Sequence, residues 1–262
     1  MIRAGVAGSP ISHSLSPRIH RKALEILGLE GEYEAFEVGQ NEFTEFLAAH
    51  SIGDWNGFSL TMPLKESAFG LIENIDQDAT RINSVNTIYR SDSKWCGTST
   101  DYLAFKKLLK VSKDSKVAII GAGGTARAAL GSLDSRIGVA DVLIRNESRK
   151  SAMSNSAPHV RINFLEMNAP LDGYDLVVQT TPAGAFDPYV DSIAKLSGSL
   201  VEALYKPAPT KLAMKFSELN CSVITGKELL VEQALYQIEL FTGSTINFDE
   251  MRSALLAEIS EL

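Results

Sequence analysis

Several things are scarce in this chain, and each scarcity removes a class of protein. Only two cysteines, Cys96 and Cys221, occur in 262 residues. They are too few for a disulfide framework, and neither falls in a Cys-x-x-Cys or Cys/His cluster able to close around a metal. Buried thiols are the expectation for both. Positive charge is also short: the net charge is −7, so no cationic field exists to hold nucleic acid as the main partner. No run approaches the roughly 20 apolar residues that span a bilayer. The opening MIRAGVAGSPISHSLSPRIH has no basic segment followed by an apolar core, so no secretory signal is read and a cytoplasmic location is expected. Internal repeats and low-complexity tracts are missing too.

What is present is ordinary for a globular protein, with 45% hydrophobic and 22% charged residues. The length suits one large domain or two of common size. Short β-prone runs alternate with helical patterns: IRAGV then PRIHRKALEILG, YEAFEV then NEFTEFLAAH, GFSLT then LKESAFGLI. That alternation predicts βαβ units and a largely parallel sheet covered by helices, an α/β fold. VNTIYRSDSKWCGTS reads as two short strands around a Ser-Asp-Ser turn. A helix is predicted from about Asp101 to Lys110, with Leu103, Leu108 and Leu109 as buried positions. A second run of alternation starts at KVAII, an apolar strand of the kind buried mid-sheet. It continues through ADVLIR, YDLVVQ, GSLVEALY and CSVIT. From Gly226 on, two helices are expected, with Gln233 and Gln237 one turn apart.

After the KVAII strand comes Gly121-Ala122-Gly123-Gly124-Thr125-Ala126 and an alanine-rich stretch. Gly121, Gly123 and Ala126 fill the three key places of G-x-G-x-x-[GA]. The first permits a tight turn, the second lets backbone approach a pyrophosphate, and the small third residue lets helix pack on strand. The helix N-terminus then offers N–H groups to the phosphates. A glycine-rich match can be a plain turn, but a strand before and a helix after favour a dinucleotide. The next strand, Asp141-Val142-Leu143-Ile144, does not end in the acid that accepts a ribose 2′-hydroxyl. It runs into Arg145-Asn146-Glu147-Ser148-Arg149-Lys150. Three cations in six residues suit a 2′-phosphate, the alternative being a solvated helix start. NADP is the expected cofactor, with Glu147 as a counter-signal.

The first half carries polar groups at the ends of successive elements, where α/β proteins bind ligands. They are Gly8-Ser9-Pro10-Ile11-Ser12-His13-Ser14-Leu15-Ser16-Pro17, then Ser59-Leu60-Thr61-Met62-Pro63-Leu64-Lys65, then Asn83-Ser84-Val85-Asn86-Thr87, then Gly97-Thr98-Ser99-Thr100-Asp101. Each alone could be a cap or turn; Ser16 before Pro17, for instance, fits a helix N-cap.

Taken in order, with Tyr205-Lys206-Pro207-Ala208-Pro209-Thr210 and the C-terminal Gly226…Gln233-Ala234, these motifs resemble the shikimate dehydrogenase family from about residue 4 to residue 243. The resemblance implies an N-terminal α/β substrate domain, a Rossmann-type doubly wound NADP domain, and C-terminal helices returning to the first. The expected extents are residues 1–101, 102–228 and 229–262, with the site in the cleft between. It implies NADPH-dependent reduction of 3-dehydroshikimate to shikimate, a step toward chorismate and the aromatic amino acids. Residue by residue, Ser14, Ser16, Thr61, Lys65, Asn86, Asp101 and Gln233 would meet substrate, the two serines at its carboxylate. Tyr205 and Gly226 would lie nearer the carboxylate and nicotinamide. Gly121, Gly123, Gly124, Thr125 and Ala126 would take the pyrophosphate, and Arg145, Asn146, Arg149 and Lys150 the 2′-phosphate. Lys65 would give the ketone oxygen its proton, with Asp101 holding the lysine; otherwise the two are a surface ion pair. The expected partners are this small molecule and neither nucleic acid nor membrane, the chain acting as monomer or homodimer.

The chain departs from the family pattern at several places, among them Ala104, at a position commonly small or glycine, and Arg145-Asn146-Glu147, where the family commonly has N-R-T before the 2′-phosphate contacts. Ser59 stands where the family has asparagine, and is expected to reach substrate only through water. Ser99 replaces another asparagine, Tyr102 occupies a position commonly small and would narrow the cleft, and Gln179 replaces the asparagine before the T-x-x-G turn. The alternatives are a quinate/shikimate dehydrogenase preferring NAD, and a non-catalytic nucleotide-sensing homologue. The first lacks its acid after the second strand. The second gives no reason to keep Lys65, Asp101 and Gln233 together.

Overall fold

The computed structural model describes residues 1–50 and 55–261. The chain forms two compact units. The first gathers Met1–Thr80, Ser84–Thr100 and Val231–Leu262; the second gathers Arg81–Asn83 and Asp101–Leu230.

In the first unit the elements are β1 (Ile2–Gly8), α1 (Ser16–Leu27), β2 (Gly31–Glu37), α2 (Phe43–Ala49), β3 (Gly57–Leu60), β4 (Asn74–Ile75), α3 (Gln77–Arg81), β5 (Thr87–Ser91) and β6 (Lys94–Thr98). They build one six-stranded sheet in the order β2-β1-β3-β5-β6-β4. β1 pairs parallel with β2 and β3, whereas β5 runs antiparallel to β3 and β6. The sheet is therefore mixed, because β5 and β6 form a hairpin whose turn residues Asp92 and Ser93 both take positive φ. Asp and Ser tolerate that conformation better than branched residues do. LKESAFGLI, expected as a helix, gives only one 3₁₀ turn at Leu64–Glu66. Gly70, with φ +85°, rules out a helix running through to Ile72. The core between sheet and α2 is aromatic: Phe36, Phe46, Trp55 and Phe58 meet edge to face or stacked, with ring centroids 4.8–5.9 Å apart.

The second unit continues with α4 (Thr100–Leu108), β7 (Val117–Ile120), α5 (Gly124–Ser132), β8 (Val139–Leu143), α6 (Lys150–Ser156), β9 (Arg161–Leu165), β10 (Leu176–Gln179), α7 (Asp187–Val190), β11 (Ser199–Glu202), α8 (Lys211–Glu218), β12 (Val223–Ile224) and α9 (Gly226–Thr242). Its sheet is wholly parallel in the order β12-β11-β10-β7-β8-β9. The order reverses at β7, the doubly wound pattern with its switch point beside the first strand. β7 and β10 are buried at every residue, as a central parallel strand covered on both faces must be. β9 is an edge strand absent from the sequence expectation. RINFL lies against β8 with Asp141 opposite Asn163, a polar pair that the apolar pattern does not reveal.

From Val231 the chain belongs to the first unit again. There the rest of α9 and then α10 (Phe248–Glu258) pack, α10 beside α1. Among the described residues, no helix is long and apolar enough to cross a membrane.

Candidate active site

The first candidate residues lie where β1 gives way to α1. Ser16 is the first helical residue rather than the cap. The cap position is Leu15, which makes no side-chain cap bond. The Ser14 hydroxyl accepts the Ser16 N–H at 3.3 Å and so serves the helix end that the sequence assigned to Ser16. Ser16 is itself buried, 6% exposed.

Behind these lies a buried lattice of amides and hydroxyls. Asn86, just before β5, accepts the Thr100 backbone N–H on Oδ1 at 2.7 Å. Its Nδ2 donates to Thr100 Oγ1 at 2.9 Å and to Gln233 Oε1 at 3.2 Å. Thr87 also donates to Asn86 Oδ1, at 3.1 Å. Asn86, Thr100 and Gln233 are 3%, 0% and 6% exposed. The two candidate amides, 147 residues apart in sequence, are thus hydrogen-bonded to one another. One turn along α9, Gln237 accepts the Ser59 hydroxyl at 2.8 Å and donates to Thr87 Oγ1 at 2.9 Å. Ser59 also bonds the Tyr33 hydroxyl at 2.6 Å, and His20 Nε2 lies 3.2 Å from the Gln237 carbonyl. Ser59 is therefore committed inside the fold, where the sequence reading had it reaching for substrate through water. Tyr33 and His20 are members the sequence did not point to, and Thr87 and Gln237 were noted there without a role. His20 and Tyr33 stack with centroids 4.1 Å apart.

Lys65 sits on the 3₁₀ turn after β3. Thr61 starts that turn by accepting the Leu64 N–H at 2.8 Å, and the Lys65 carbonyl accepts the Val85 N–H at 2.9 Å. The backbone of the candidate lysine is thereby tied to the segment that carries Asn86. Asp101 is in the first turn of α4, 8% exposed. Its neighbour Tyr102 packs into the second unit's core, with the Arg81 guanidinium 5.7 Å from its ring. The ring is 7% exposed in that core.

In the second unit the glycine loop follows β7 as its motif requires. Gly121 has φ +113°, and a Cβ there would strike the Thr180 hydroxyl. Any other residue would be strained and crowded. Gly123 is the α5 N-cap in extended conformation, with nothing within 4 Å of an added Cβ. Gly124 opens α5 with Thr125 next, and Ala126 is fully buried beneath. An open approach to a helix N-terminus with nothing but backbone in the way fits a pyrophosphate. Arg127, fully buried, anchors the helix by donating to the carbonyls of Ile82 and Asn83 at 2.7 and 2.8 Å. Gln179, at the end of β10, accepts the Thr181 N–H and hydroxyl at 2.9 and 3.1 Å. It thereby holds the turn beside Gly121.

After β8, Arg145, Asn146 and Arg149 are exposed. Asn146 caps the 3₁₀ turn Glu147–Arg149 by accepting the Ser148 N–H at 3.0 Å. Glu147, read as a charge that would repel phosphate, instead pairs with Lys150 at 2.6 Å. That contact lowers its pKa below the ordinary carboxylate value. Asp141 faces elsewhere, accepting from Asn163 at 2.7 Å and from Tyr174 at 2.5 Å.

Tyr205 follows β11, whose last residue Glu202 is 2% exposed. Glu202 accepts the Leu204 N–H at 3.0 Å and the Thr210 hydroxyl at 2.7 Å, bracketing the Tyr205–Thr210 loop. Burial raises its pKa to about 7. Gly226 opens α9 so close to this loop that a Cβ would collide with the Leu204 carbonyl. Among the described residues no group of three or more His, Cys, Asp or Glu could hold a metal.

Comparison with known proteins decides what these parts belong to. Residues 6–88 match the model of the shikimate dehydrogenase substrate binding domain, and residues 226–256 that of the shikimate 5′-dehydrogenase C-terminal domain. The chain is 33% identical over 245 residues to the shikimate dehydrogenase (NADP(+)) of an Exiguobacterium species, across 91% of this chain and 92% of that protein. The chain belongs to the shikimate dehydrogenase family. Among solved structures of family members, that of Mycobacterium tuberculosis superposes with a TM-score of 0.87 at 30% identity, over 98% of this chain and 99% of that one. The Thermus thermophilus enzyme, solved with NADP(H) and shikimate, gives 0.83 at 29% identity, over 99% and 100% of the two chains.

Proposed function

We propose that the protein is an NADP-dependent shikimate dehydrogenase, reversibly reducing the ring ketone of 3-dehydroshikimate. The observation that carries the reading is the Asn86–Gln233 pair, locked 3.2 Å apart beside the segment bonded to Lys65, in a family member that also keeps the glycine loop. Prearranged amides suit a small ring bearing several hydroxyls, because they lose little freedom on binding. Ser14 and Ser16 hold the substrate carboxylate; Thr61, Asn86 and Gln233 take its hydroxyls. Gly121, Gly123, Gly124, Thr125 and Ala126 receive the pyrophosphate, and Arg145, Asn146, Arg149 and Lys150 the 2′-phosphate. Tyr205 meets the substrate near the nicotinamide, and Gly226 lines the cofactor end.

NADPH, when bound, supplies a hydride to the ketone carbon. As that bond forms, the oxygen gains charge, and Lys65 gives it a proton; in the reverse direction the amine of Lys65 takes the proton back. Asp101 keeps the lysine in place between these states. Lys65 and Asp101 are the catalytic residues in this reading.

The test follows nicotinamide absorbance with shikimate and NADP⁺, then with quinate and NAD⁺. The reading expects rapid reduction of NADP⁺ by shikimate and at least a tenfold lower kcat/KM for the second pair, about 1.4 kcal/mol of discrimination. Turnover only with quinate and NAD⁺, or none at all, would overturn it.

A further inference from the structure

Gln237 is fully buried, touches the groups assigned to substrate only through the Asn86 main-chain carbonyl, 3.5 Å from its Nε2, and has every hydrogen-bonding atom occupied. A buried amide in that state has one tolerable orientation, and its partners reveal which. The Ser59 hydroxyl has one proton and gives it to Gln237 Oε1. The 2.6 Å bond between Tyr33 and Ser59 must then be donated by Tyr33. His20 is held neutral, its pKa lowered by burial to about 3. Its Nε2, 3.2 Å from the same carbonyl, must carry the hydrogen. Two donors therefore converge on Oε1, which fixes Nε2 toward Thr87 Oγ1 at 2.9 Å. Having accepted there, Thr87 turns its own proton to the Asn86–Thr100 pair, 3.1 Å from both Asn86 Oδ1 and Thr100 Oγ1. With the Thr100 N–H at 2.7 Å, that hydroxyl holds the Asn86 carbonyl inward and its amino group toward Gln233 Oε1. Every donor in the sequence Tyr33, Ser59, Gln237, Thr87, Asn86, Gln233 points the same way. The Asn86 main-chain carbonyl, 3.5 Å from Gln237 Nε2, can only accept, so a flip of Gln237 would set its buried oxygen against that carbonyl with no donor between them.

We propose that Gln237 is a positioning residue for the substrate. Through Thr87 it orients Asn86, and through Asn86 it orients Gln233, while Tyr33, Ser59 and His20 hold Gln237 itself in register. The inference rests on Asn86 being a substrate ligand, as proposed above. It adds that the polarity of the substrate amides is set by a residue two hydrogen bonds behind them. Ser59 has the same duty, so its hydroxyl serves orientation rather than contact with the ring.

The experiment is a double-mutant cycle in the full-length protein, read as the KM values for shikimate and NADP⁺. Gln237→Leu removes the amide, and Asn86→Ala removes the group it is said to orient. The expected result is a roughly tenfold rise in the shikimate KM for Gln237→Leu, with the NADP⁺ KM unmoved and little further rise when it is added to Asn86→Ala. If Gln237→Leu does not fold, the Thr87 pair carries the same test. Thr87→Val, which deletes the relaying hydroxyl, raises the shikimate KM, and Thr87→Ser, which keeps it, restores most of the loss. A merely structural role would move both KM values or only the melting temperature. Additive effects in the cycle, or an unchanged shikimate KM in folded Gln237→Leu or Thr87→Val, overturn the relay. An unchanged shikimate KM in Asn86→Ala alone is a different failure: it removes the substrate role of Asn86, and the positioning role falls with it.

Discussion

The two units solve recognition by different physical means. In the first, the candidate amides and the residues behind them are buried, cross-bonded side chains, from segments as far apart in sequence as His20 and Gln237. In the second, the candidate phosphate groups are a backbone turn and exposed cations: Gly121 and Gly123 shape the loop, and Arg145 and Arg149 stand in solvent. The contrast follows from the ligands. A small ring carrying hydroxyls is told from its analogues only by hydrogen bonds in fixed directions, which require preorganised partners. A pyrophosphate and a 2′-phosphate offer large charges, which N–H groups at a helix end and flexible guanidinium groups can meet. Specificity in the first unit should therefore be brittle, and in the second, graded.

The largest expected effect lies in the first unit. Lys65→Ala should lower kcat by about 10²–10⁴-fold, the usual worth of a positioned proton donor. Shikimate binding should stay within roughly tenfold, because the hydrogen-bonded amides remain. Turnover near the wild-type rate would show that the lysine is not the donor and that the first unit supplies binding alone.

A smaller effect sets the units in opposition on the pH axis. His20 titrates at 6.5 in the unfolded chain and about 3 when folded. Below pH 6.5 the unfolded state takes the proton that the folded state refuses, so stability falls as pH drops toward 3. Glu202 runs the other way, from 4.5 unfolded to about 7 folded. Its contribution is complete below pH 4.5, is lost as pH rises through 7, and is constant above. Each slope is at most about 1.4 kcal/mol per pH unit. Denaturant unfolding between pH 4 and 8 checks this: His20→Gln should flatten the acid side, and Glu202→Gln the decline toward neutral pH. Variants with the wild-type pH profile would show that neither group is held as the structure has it.

These contrasts also explain what could be read from the sequence. The second unit was largely legible, because its strands are apolar runs and its loop is a local motif. Gly121, Gly123 and Ala126 sit within six residues, and each has a steric reason visible in a few neighbours. β9, with Asn163 facing Asp141 at the edge, broke the pattern, and Leu103, Leu108 and Cys221, expected buried, are half-buried. The first unit was legible as a list of residues but not as an arrangement. Ser59 was read as a shortened asparagine reaching substrate through water because its partners, Tyr33 and Gln237, lie 26 and 178 residues away. No spacing rule joins such positions. Ser14 and Ser16 exchanged cap duties for a related reason. The helix starts at Ser16, one residue earlier than Pro17 suggests, and that leaves Ser14 to receive its N–H. Glu147 looked like a repelling charge until its pairing with Lys150 was seen. Charge signs are written in the sequence, but their partners are not.

The most direct test of the division of labour crosses the two units. The KM values for shikimate and for NADP⁺ are measured in Asn86→Ala and in Arg145→Ala/Arg149→Ala. The account predicts that Asn86→Ala raises the shikimate KM about tenfold or more and leaves that for NADP⁺ within roughly twofold. The arginine pair should do the reverse, each charge-assisted phosphate contact being worth about 1.5–3 kcal/mol, with the KM for NAD⁺ little changed. If each variant raises both values equally, or the arginine pair weakens NAD⁺ as much as NADP⁺, recognition is not divided between the units as described.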